Sequence, residues 1–207
     1  LEFVPGRRKI KFGDLDFDFD HEVDTTRSNV RFRTQLAAAL TGHQYFASEP
    51  WIFEEILQAL PIHPWDFTFI DLGSGKGRAL LMAAAHGFSR VIGVEYLPEL
   101  HAAAESNIHR FSAERSSRTK IESLCLDARD FQFPSDPLVL YLFNPFPEEV
   151  LARVLENLRR SLESDPRPVW IAYRFVEFEH LLKDCDWLEK VTGTEQWALY
   201  RNRRHRS

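Results

Sequence analysis

The sequence has few of the residues that build disulfide frameworks, metal sites or membrane spans. Its 207 residues include two cysteines, Cys125 and Cys185, which lie 60 positions apart without a CxxC or Cys/His spacing. This excludes a disulfide framework and gives no zinc pattern, so we expect two buried thiols and no metal site. The longest uncharged apolar run, at 138–146, is far too short to cross a bilayer.

An excess of basic residues is also absent, since the formal net charge is −5. Nonspecific binding to nucleic acid requires a basic surface, so a protein or small-molecule partner is favoured over nucleic acid. The basic end RNRRHRS is typical of a solvated tail. The first residues contain no apolar signal segment, and we expect a soluble cytoplasmic protein. The oligomeric state has no sequence signal.

The composition is that of a core-forming globular protein, with 44% hydrophobic and 13% aromatic residues. From Phe67 onward the apolar pattern switches between a period of two and a period of about 3.6, which indicates alternating strands and helices. Strands are predicted at 67–72, 90–95, 121–125, 138–143, 168–173, 187–192 and 195–201, and helices at 77–86, 98–111, 147–162 and 175–184.

This alternation predicts an α/β fold of three layers, with a mostly parallel seven-stranded sheet between helices. The last two strands are separated only by Gly193 and Thr194. A connection that short can join only antiparallel neighbours, so the sheet should end in an antiparallel hairpin.

Residues 1–60 have a different character, and we predict that they form a helical and acidic cap on the domain built by residues 61–207. Helix-like patterns occur at 29–40 and 49–60. The alternation of Asp with Leu or Phe at 14–20 has the period of a strand. A calcium loop of the EF-hand type is disfavoured, because Phe19 and Thr25 stand where glycine and an acid are required.

The segment FTFIDLGSGKGRALL carries a glycine turn between a predicted strand and a predicted helix. A P-loop requires Ser or Thr after its lysine, whereas Gly77 follows Lys76. A dinucleotide turn has its third glycine one position later, and Asp71 would repel a pyrophosphate. The turn therefore suits a ligand that has no phosphate and carries a positive end. Lys76 and Arg78 are expected to neutralise neighbours or to face solvent.

DLGSGKG resembles the first motif of class I S-adenosylmethionine-dependent methyltransferases, including the non-SET lysine methyltransferases. The resemblance extends to Glu95, 24 residues after Asp71, which matches the acid that binds the ribose. LDARDF matches the adenine-contacting segment, and the fold it implies is Rossmann-like. The resemblance implies S-adenosylmethionine as cofactor, bound by Asp71, Gly73, Ser74, Gly75, Gly77, Glu95, Tyr96, Asp127, Ala128 and Asn144.

Asn144, Pro145 and Phe146 resemble the Asn-Pro-Pro-aromatic motif of amino-group methyltransferases, with one proline fewer. The resemblance implies that they form the catalytic motif and that the acceptor atom is a nitrogen. A plain turn before the helix at 147 is the alternative. Two other functions stay open, namely a protein that binds S-adenosylmethionine without transferring its methyl group and, disfavoured by the glycine spacing, a nicotinamide-dependent oxidoreductase.

Overall fold

The structure is a computed structural model that describes residues 13–26, 48–113, 118–143 and 147–203. Within them the chain forms one seven-stranded sheet with the strand order β3-β2-β1-β4-β5-β7-β6. The strands are β1 Thr68–Leu72, β2 Arg90–Glu95, β3 Lys120–Cys125, β4 Leu138–Phe143, β5 Val169–Arg174, β6 Leu188–Gly193 and β7 Trp197–Asn202.

The helices surround this sheet, and those from residue 50 onward follow the predicted order. They are α1 Gly13–Asp20, α2 Pro50–Ala59, α3 Arg78–Ala85, α4 Pro98–Ala113, α5 Glu148–Ser164 and α6 Glu179–Lys183, with short 3-10 turns at Pro64–Asp66 and Ala128–Asp130. Helix α6 is shorter than predicted, because Phe175 has a positive φ of 51° that no helix accommodates. The predicted helix 29–40 lies outside the described residues.

The topology confirms the predicted fold class. Strands β1 to β5 pair in parallel, whereas β7 pairs antiparallel with both β5 and β6. The chain runs from β1 outward to β3 and then returns to the other side of β1 with β4. This reversal opens a crevice at the carboxyl ends of β1 and β4, which is where open α/β sheets bind their ligands.

Two hydrophobic layers hold the helices against the sheet. One face packs Phe53 of α2 and Leu81 of α3 on Phe69 and Tyr141, and the rings of Phe53 and Tyr141 meet edge to face at 5.3 Å. The other face is covered by α5, which buries Leu151, Val154, Leu155, Leu158 and Leu162 at helical spacing. Each such side chain contributes about 1.5–3 kcal/mol to folding by leaving water.

The strand predicted at 14–20 is wrong, since residues 13–20 form helix α1. Phe17 and His21 lie four residues apart, and their rings stack at 4.3 Å, with His21 also stacking on Phe111 at 5.7 Å. Phe19, which a strand would have placed beside Phe17, is 85% exposed. A single helical contact face, and not a pleat, therefore explains the position of these aromatic residues.

The prediction of two buried thiols is also wrong. Cys125 ends β3 and is exposed, because β3 is an edge strand whose outward side chains are not covered. Cys185 is half-buried, and its Sγ donates to the carbonyl oxygen of Leu181 at 3.1 Å. In the part of the chain that the structure describes, no helix is long and apolar enough to span a membrane. Nor do the described histidine, cysteine and acidic residues form a group that could hold a metal ion.

Candidate cofactor and acceptor site

The glycine turn joins the end of β1 to α3 and requires its glycines. Gly73, Gly75 and Gly77 have φ values of 84°, 55° and 85°, a region that side chains with a Cβ adopt only at a cost. The amides of Gly73 and Ser74 both donate to the carbonyl oxygen of Val94, at 2.8 and 3.1 Å. The turn is therefore fixed to β2.

Gly93, in the middle of β2, allows this close approach and was missed by the motif comparison. A Cβ on Gly93 would lie 2.6 Å from Leu80 Cδ1 and 2.7 Å from Ser74 Oγ. The buried Ser74 hydroxyl packs against Gly93 without a hydrogen-bond partner in the described chain. A glycine inside a predicted strand is a sequence signal for such a close approach, and Gly93 in the segment VIGVEY gives this signal.

Glu95 ties the turn to the end of β2. Its carboxylate is buried and accepts hydrogen bonds from the amides of Gly75 and Leu97, each at 2.8 Å. Burial raises the pKa of Glu95, although these amides, that of Tyr96 and the nearby His101 act in the opposite direction. A carboxylate has about four acceptor positions, so Glu95 keeps capacity for a further hydrogen bond such as one from a ribose hydroxyl.

Asp71, one residue before the end of β1, is buried close to Glu95. Burial, followed by the negative charge of Glu95, raises the pKa of Asp71 to about 8. Two acids that share a buried corner disfavour each other's ionisation and favour a ligand that brings positive charge. The corner therefore suits a sulfonium or ammonium group and would repel a phosphate.

The predicted adenine-contacting residues follow the next two strand ends. The carbonyl oxygen of Glu95 accepts from the amide of Leu126 at 3.1 Å, which brings Tyr96 and Asp127 to the same edge. Tyr96 is 68% exposed, and Ala128 is buried. The Asp127 carboxylate caps the 3-10 turn through the Arg129 amide at 2.9 Å and pairs with the Arg129 guanidinium at 2.6 Å.

The Arg129 hydrogen bond lowers the pKa of Asp127, against the effect of desolvation. Asp127 is thus a turn cap in this structure, and an adenine amino group would have to share its oxygens with Arg129. We keep the adenine role of Asp127 as a prediction.

Arg78 in the first turn of α3 is almost fully buried and binds the N-terminal segment. Its Nε donates to Thr25 Oγ1 at 2.6 Å, and its Nη2 contacts Thr26 Oγ1 and lies 3.4 Å from Asp18 Oδ1. The guanidinium also lies over the Phe17 ring at 5.6 Å. Of the two expected roles, neutralising neighbours is confirmed for Arg78, and facing solvent is wrong.

Lys76 makes a parallel connection from inside the glycine turn. Its buried ammonium lies 3.6 Å from Asp24 Oδ1. Asn107 of α4 joins the same two partners, because its side-chain amide donates to the carbonyl oxygens of Lys76 and Asp24, at 3.0 and 3.2 Å. The segment 17–26 is therefore bound directly to the turn that faces the crevice.

At the other end of the crevice, β4 ends at Phe143. The predicted catalytic residues Asn144, Pro145 and Phe146 lie outside the described residues. The residues before α2 reach this corner, since Tyr141 donates to Ser48 Oγ at 3.1 Å, and the buried Arg174 lies 3.5 Å from Glu49 Oε1. Sequence patterns gave no signal for Arg174, because its partners are far away in the chain.

Comparison with known proteins agrees with this geometry. Residues 69–165, a little under half of the chain, match the sequence model of a family described as a methyltransferase domain. No curated protein shows significant sequence similarity to the chain.

Solved structures with the same fold have low sequence identity. A SAM-dependent methyltransferase from Aquifex aeolicus has a TM-score of 0.55 at 16% identity, over 72% of this chain and 88% of that one. The precorrin-6y C5,15-methyltransferase of Geobacter metallireducens gives 0.54 at 14%, over 76% and 90%. A predicted N6-adenine-specific DNA methylase of Listeria monocytogenes gives 0.54 at 17%, over 75% of this chain and 51% of that one.

The strand order and the antiparallel β7 are those of the Rossmann-like fold that these methyltransferase structures share, and residues 69–165 match a methyltransferase domain. This match supports S-adenosylmethionine as the cofactor of the chain. The residues present are compatible with this group, because the turn consists largely of positive-φ glycines and the buried acids Glu95 and Asp71 lie beside it.

Proposed function

We propose that this domain methylates a nitrogen atom of an acceptor that enters at the carboxyl ends of β4 and β5. One observation carries the proposal. Strand β4 lies directly beside β1, with Leu142 in register with Leu72, so β4 ends at Phe143 next to the glycine turn, one residue before Asn144 in the sequence.

S-adenosylmethionine supplies a methyl group that its positive sulfur has already activated for displacement. The protein must therefore hold the methyl donor and the acceptor in line, because alignment of two reactants can supply a large part of the rate enhancement of such a reaction. Glu95 and the Gly75 amide fix the nucleoside side of the crevice. Asn144 orients the lone pair of an uncharged acceptor nitrogen, so no additional base is required.

We propose that residues 1–60 are a cap within the same domain that orders the cofactor turn and excludes water from the crevice. Support comes from both ends of this region. Residues 17–26 contact Lys76 and Arg78 behind the turn, and Ser48 and Glu49 contact Tyr141 and Arg174 beside β4. The cap therefore touches both the cofactor side and the acceptor side.

The acceptor could belong to several chemical classes. The net charge of −5 favours a protein or a small molecule. However, the DNA methylase among the similar structures acts, by its name, on a nucleic acid. The expectation that nucleic acid is disfavoured is therefore not supported, and the acceptor class has to be found by experiment.

The test is transfer of a labelled methyl group from S-adenosylmethionine into fractionated cell extract, followed by hydrolysis of the product. We expect the label in an N-methyl group. The N144A variant should lose transfer even when S-adenosylmethionine saturates the cofactor site. A product methylated on oxygen or carbon would refute the nitrogen assignment, and binding without transfer to any fraction would favour a cofactor-binding protein.

A further inference from the structure

Phe175 has an unusual backbone for an aromatic residue. Its φ of 51° lies in the left-handed region, which costs a residue with a bulky side chain about 1–3 kcal/mol. Two hydrogen bonds hold it there, from the Phe175 amide to the carbonyl oxygen of Gln196 at 3.0 Å and from the Glu177 amide to that of Phe175 at 2.7 Å. Strain of this kind is concentrated at binding and catalytic sites.

The strained backbone places the Phe175 ring at the acceptor end of the crevice. Phe175 follows the last residue of β5, and that residue, Arg174, is in register with Phe143 at the end of β4. The Phe143 and Phe175 rings are nearly parallel, at 13°, with their centroids 5.3 Å apart. In spite of this contact, Phe175 is 47% exposed.

One face of the Phe175 ring is occupied. The Arg174 guanidinium lies 3.8 Å from its centroid and 5.8 Å from that of Phe143. If the Arg174 guanidinium and the Phe143 ring lay on opposite faces of the Phe175 ring, they would be separated by two stacking distances, or roughly 7 Å. They therefore share the inner face, and the exposed surface belongs to the outer face.

The guanidinium also determines what the outer face can bind. Arg174 is held by the Gln196 carbonyl oxygen at 2.9 Å and by Glu49 at 3.5 Å, so its charge stays against the ring. A cation attracts the π electrons of a ring toward itself, which leaves the opposite face less attractive to a second cation. A flat uncharged ring, in contrast, gains dispersion energy and stacking from that face.

The same corner contains two unsatisfied polar atoms. Arg174 Nε and Glu49 Oε2 are buried and lack a hydrogen-bond partner in the described part of the chain. Buried polar atoms without partners are rare and usually mark a strained or functional site. Strain, exposure and unsatisfied polar atoms thus coincide at this end of the sheet.

We propose that the outer face of Phe175 is a stacking platform for a flat, uncharged aromatic ring of the methyl acceptor. This assignment rests on the proposed function, because it places the acceptor at the edge where β4 ends. The ring can belong to a free heteroaromatic compound or to a base of a single strand, since both offer the same flat face.

The experiment measures binding of quinoline, adenine and tetramethylammonium by ligand-observed NMR, with S-adenosylhomocysteine saturating the cofactor site. We expect the two flat rings to bind and the cation not to bind. Removal of the ring in F175A should weaken quinoline binding about 5- to 100-fold, the usual effect of deleting a stacking partner. F175W should retain binding. W65A is the matched control. Trp65 is 55% exposed and precedes β1, so it lies at the amino ends of the parallel strands, away from the crevice.

A second variant and a second ligand complete the test. F175G accepts the positive φ without strain, so it should fold at least as securely as F175A and still lose quinoline binding. A short oligoadenylate that binds more tightly than adenine would identify a single-stranded acceptor, and equal affinities a free compound. Ring binding that is unchanged in F175A and F175G, absent in the wild type, or weaker than that of tetramethylammonium would overturn the platform. Failure of S-adenosylhomocysteine to bind would instead refute the cofactor assignment, while quinoline binding would still decide the role of Phe175.

Discussion

The two ends of the crevice are built in different ways. At the β1–β2 end, the turn and the acid that holds it lie within 25 residues of each other, and backbone amides make most of the contacts. At the β4–β5 end, Glu49 and Arg174 lie 125 positions apart, and side chains make the contacts. The cofactor end thus depends on local backbone geometry, whereas the acceptor end depends on the assembled fold.

This difference explains why the two ends carry different information. A turn that binds a common cofactor needs the same glycines and acids in many proteins, so its residues form a recognisable string. An acceptor end can be assembled from any strands that meet at one edge, and its specificity has no fixed spacing.

The largest expected effect comes from breaking the contacts between the N-terminal segment and Arg78 at the cofactor end. R78M should lower the free energy of unfolding by about 3 kcal/mol, because it leaves Asp18 without its buried cationic partner. Chemical denaturation measures the loss, and hydrogen exchange should show reduced protection of residues 13–26. The control is R153M, at an exposed position of α5. Equal stability of both variants would mean that the segment does not brace the turn.

Glu95 tests the cofactor end itself. E95A should weaken S-adenosylhomocysteine binding about 100-fold, since it removes both the charged acceptor for two backbone amides and the proposed partner of the ribose. Titration calorimetry gives the dissociation constant. E99A, at an exposed position in the first turn of α4, should bind like the wild type. An unchanged constant in E95A would remove the ribose assignment.

Gly93 sharpens the comparison, because it supports the cofactor end without touching a ligand. G93A should cost about 2 kcal/mol of stability, since its Cβ would collide with Leu80 and Ser74. It should also weaken S-adenosylhomocysteine binding. G87A provides the contrast, because Gly87 has a φ of 85° but no atom near its would-be Cβ. It should cost about 1 kcal/mol of strain without a change in affinity.

The smallest expected effect is a pH dependence at Asp71. Its raised pKa means that the native protein holds a proton which the unfolded chain releases, so stability should fall as pH rises from about 4 to 8. A positive ligand favours the ionised acid, and affinity for S-adenosylmethionine, which carries a sulfonium, should rise by at most about tenfold per pH unit over pH 6–8. Calorimetry in two buffers would detect the released proton. D71N should abolish this slope, and a slope that persists would assign the proton to another group.

The fold was largely predictable, because its strands and helices are local patterns. Only Gly193 and Thr194 separate the last two predicted strands, and this short spacing correctly predicts the antiparallel hairpin of β6 and β7. Residues 14–20 were not predictable in this way. Their alternating pattern fits a strand, but the stacking of Phe17 on His21 and the contact of Asp18 with Arg78 select a helix.

The residues of the candidate site also separate into those that local sequence patterns predict and those that depend on tertiary contacts. Asp71 and Glu95 were identified from their motif, and the structure places both in one buried corner. Lys76 and Arg78 were not resolved from sequence, because their burial depends on a segment more than 50 positions upstream. Phe175 gave no sequence signal, since a positive φ at a phenylalanine is visible only in the folded chain.

The most direct test of the cofactor end is titration calorimetry of the whole chain with S-adenosylhomocysteine, with NADH and ATP as controls. Micromolar binding of S-adenosylhomocysteine alone is the predicted result, because the turn and its two acids suit a nucleoside without phosphate. Binding of NADH or ATP in its place would contradict the assignment of Asp71, the glycine turn and Glu95 to S-adenosylmethionine.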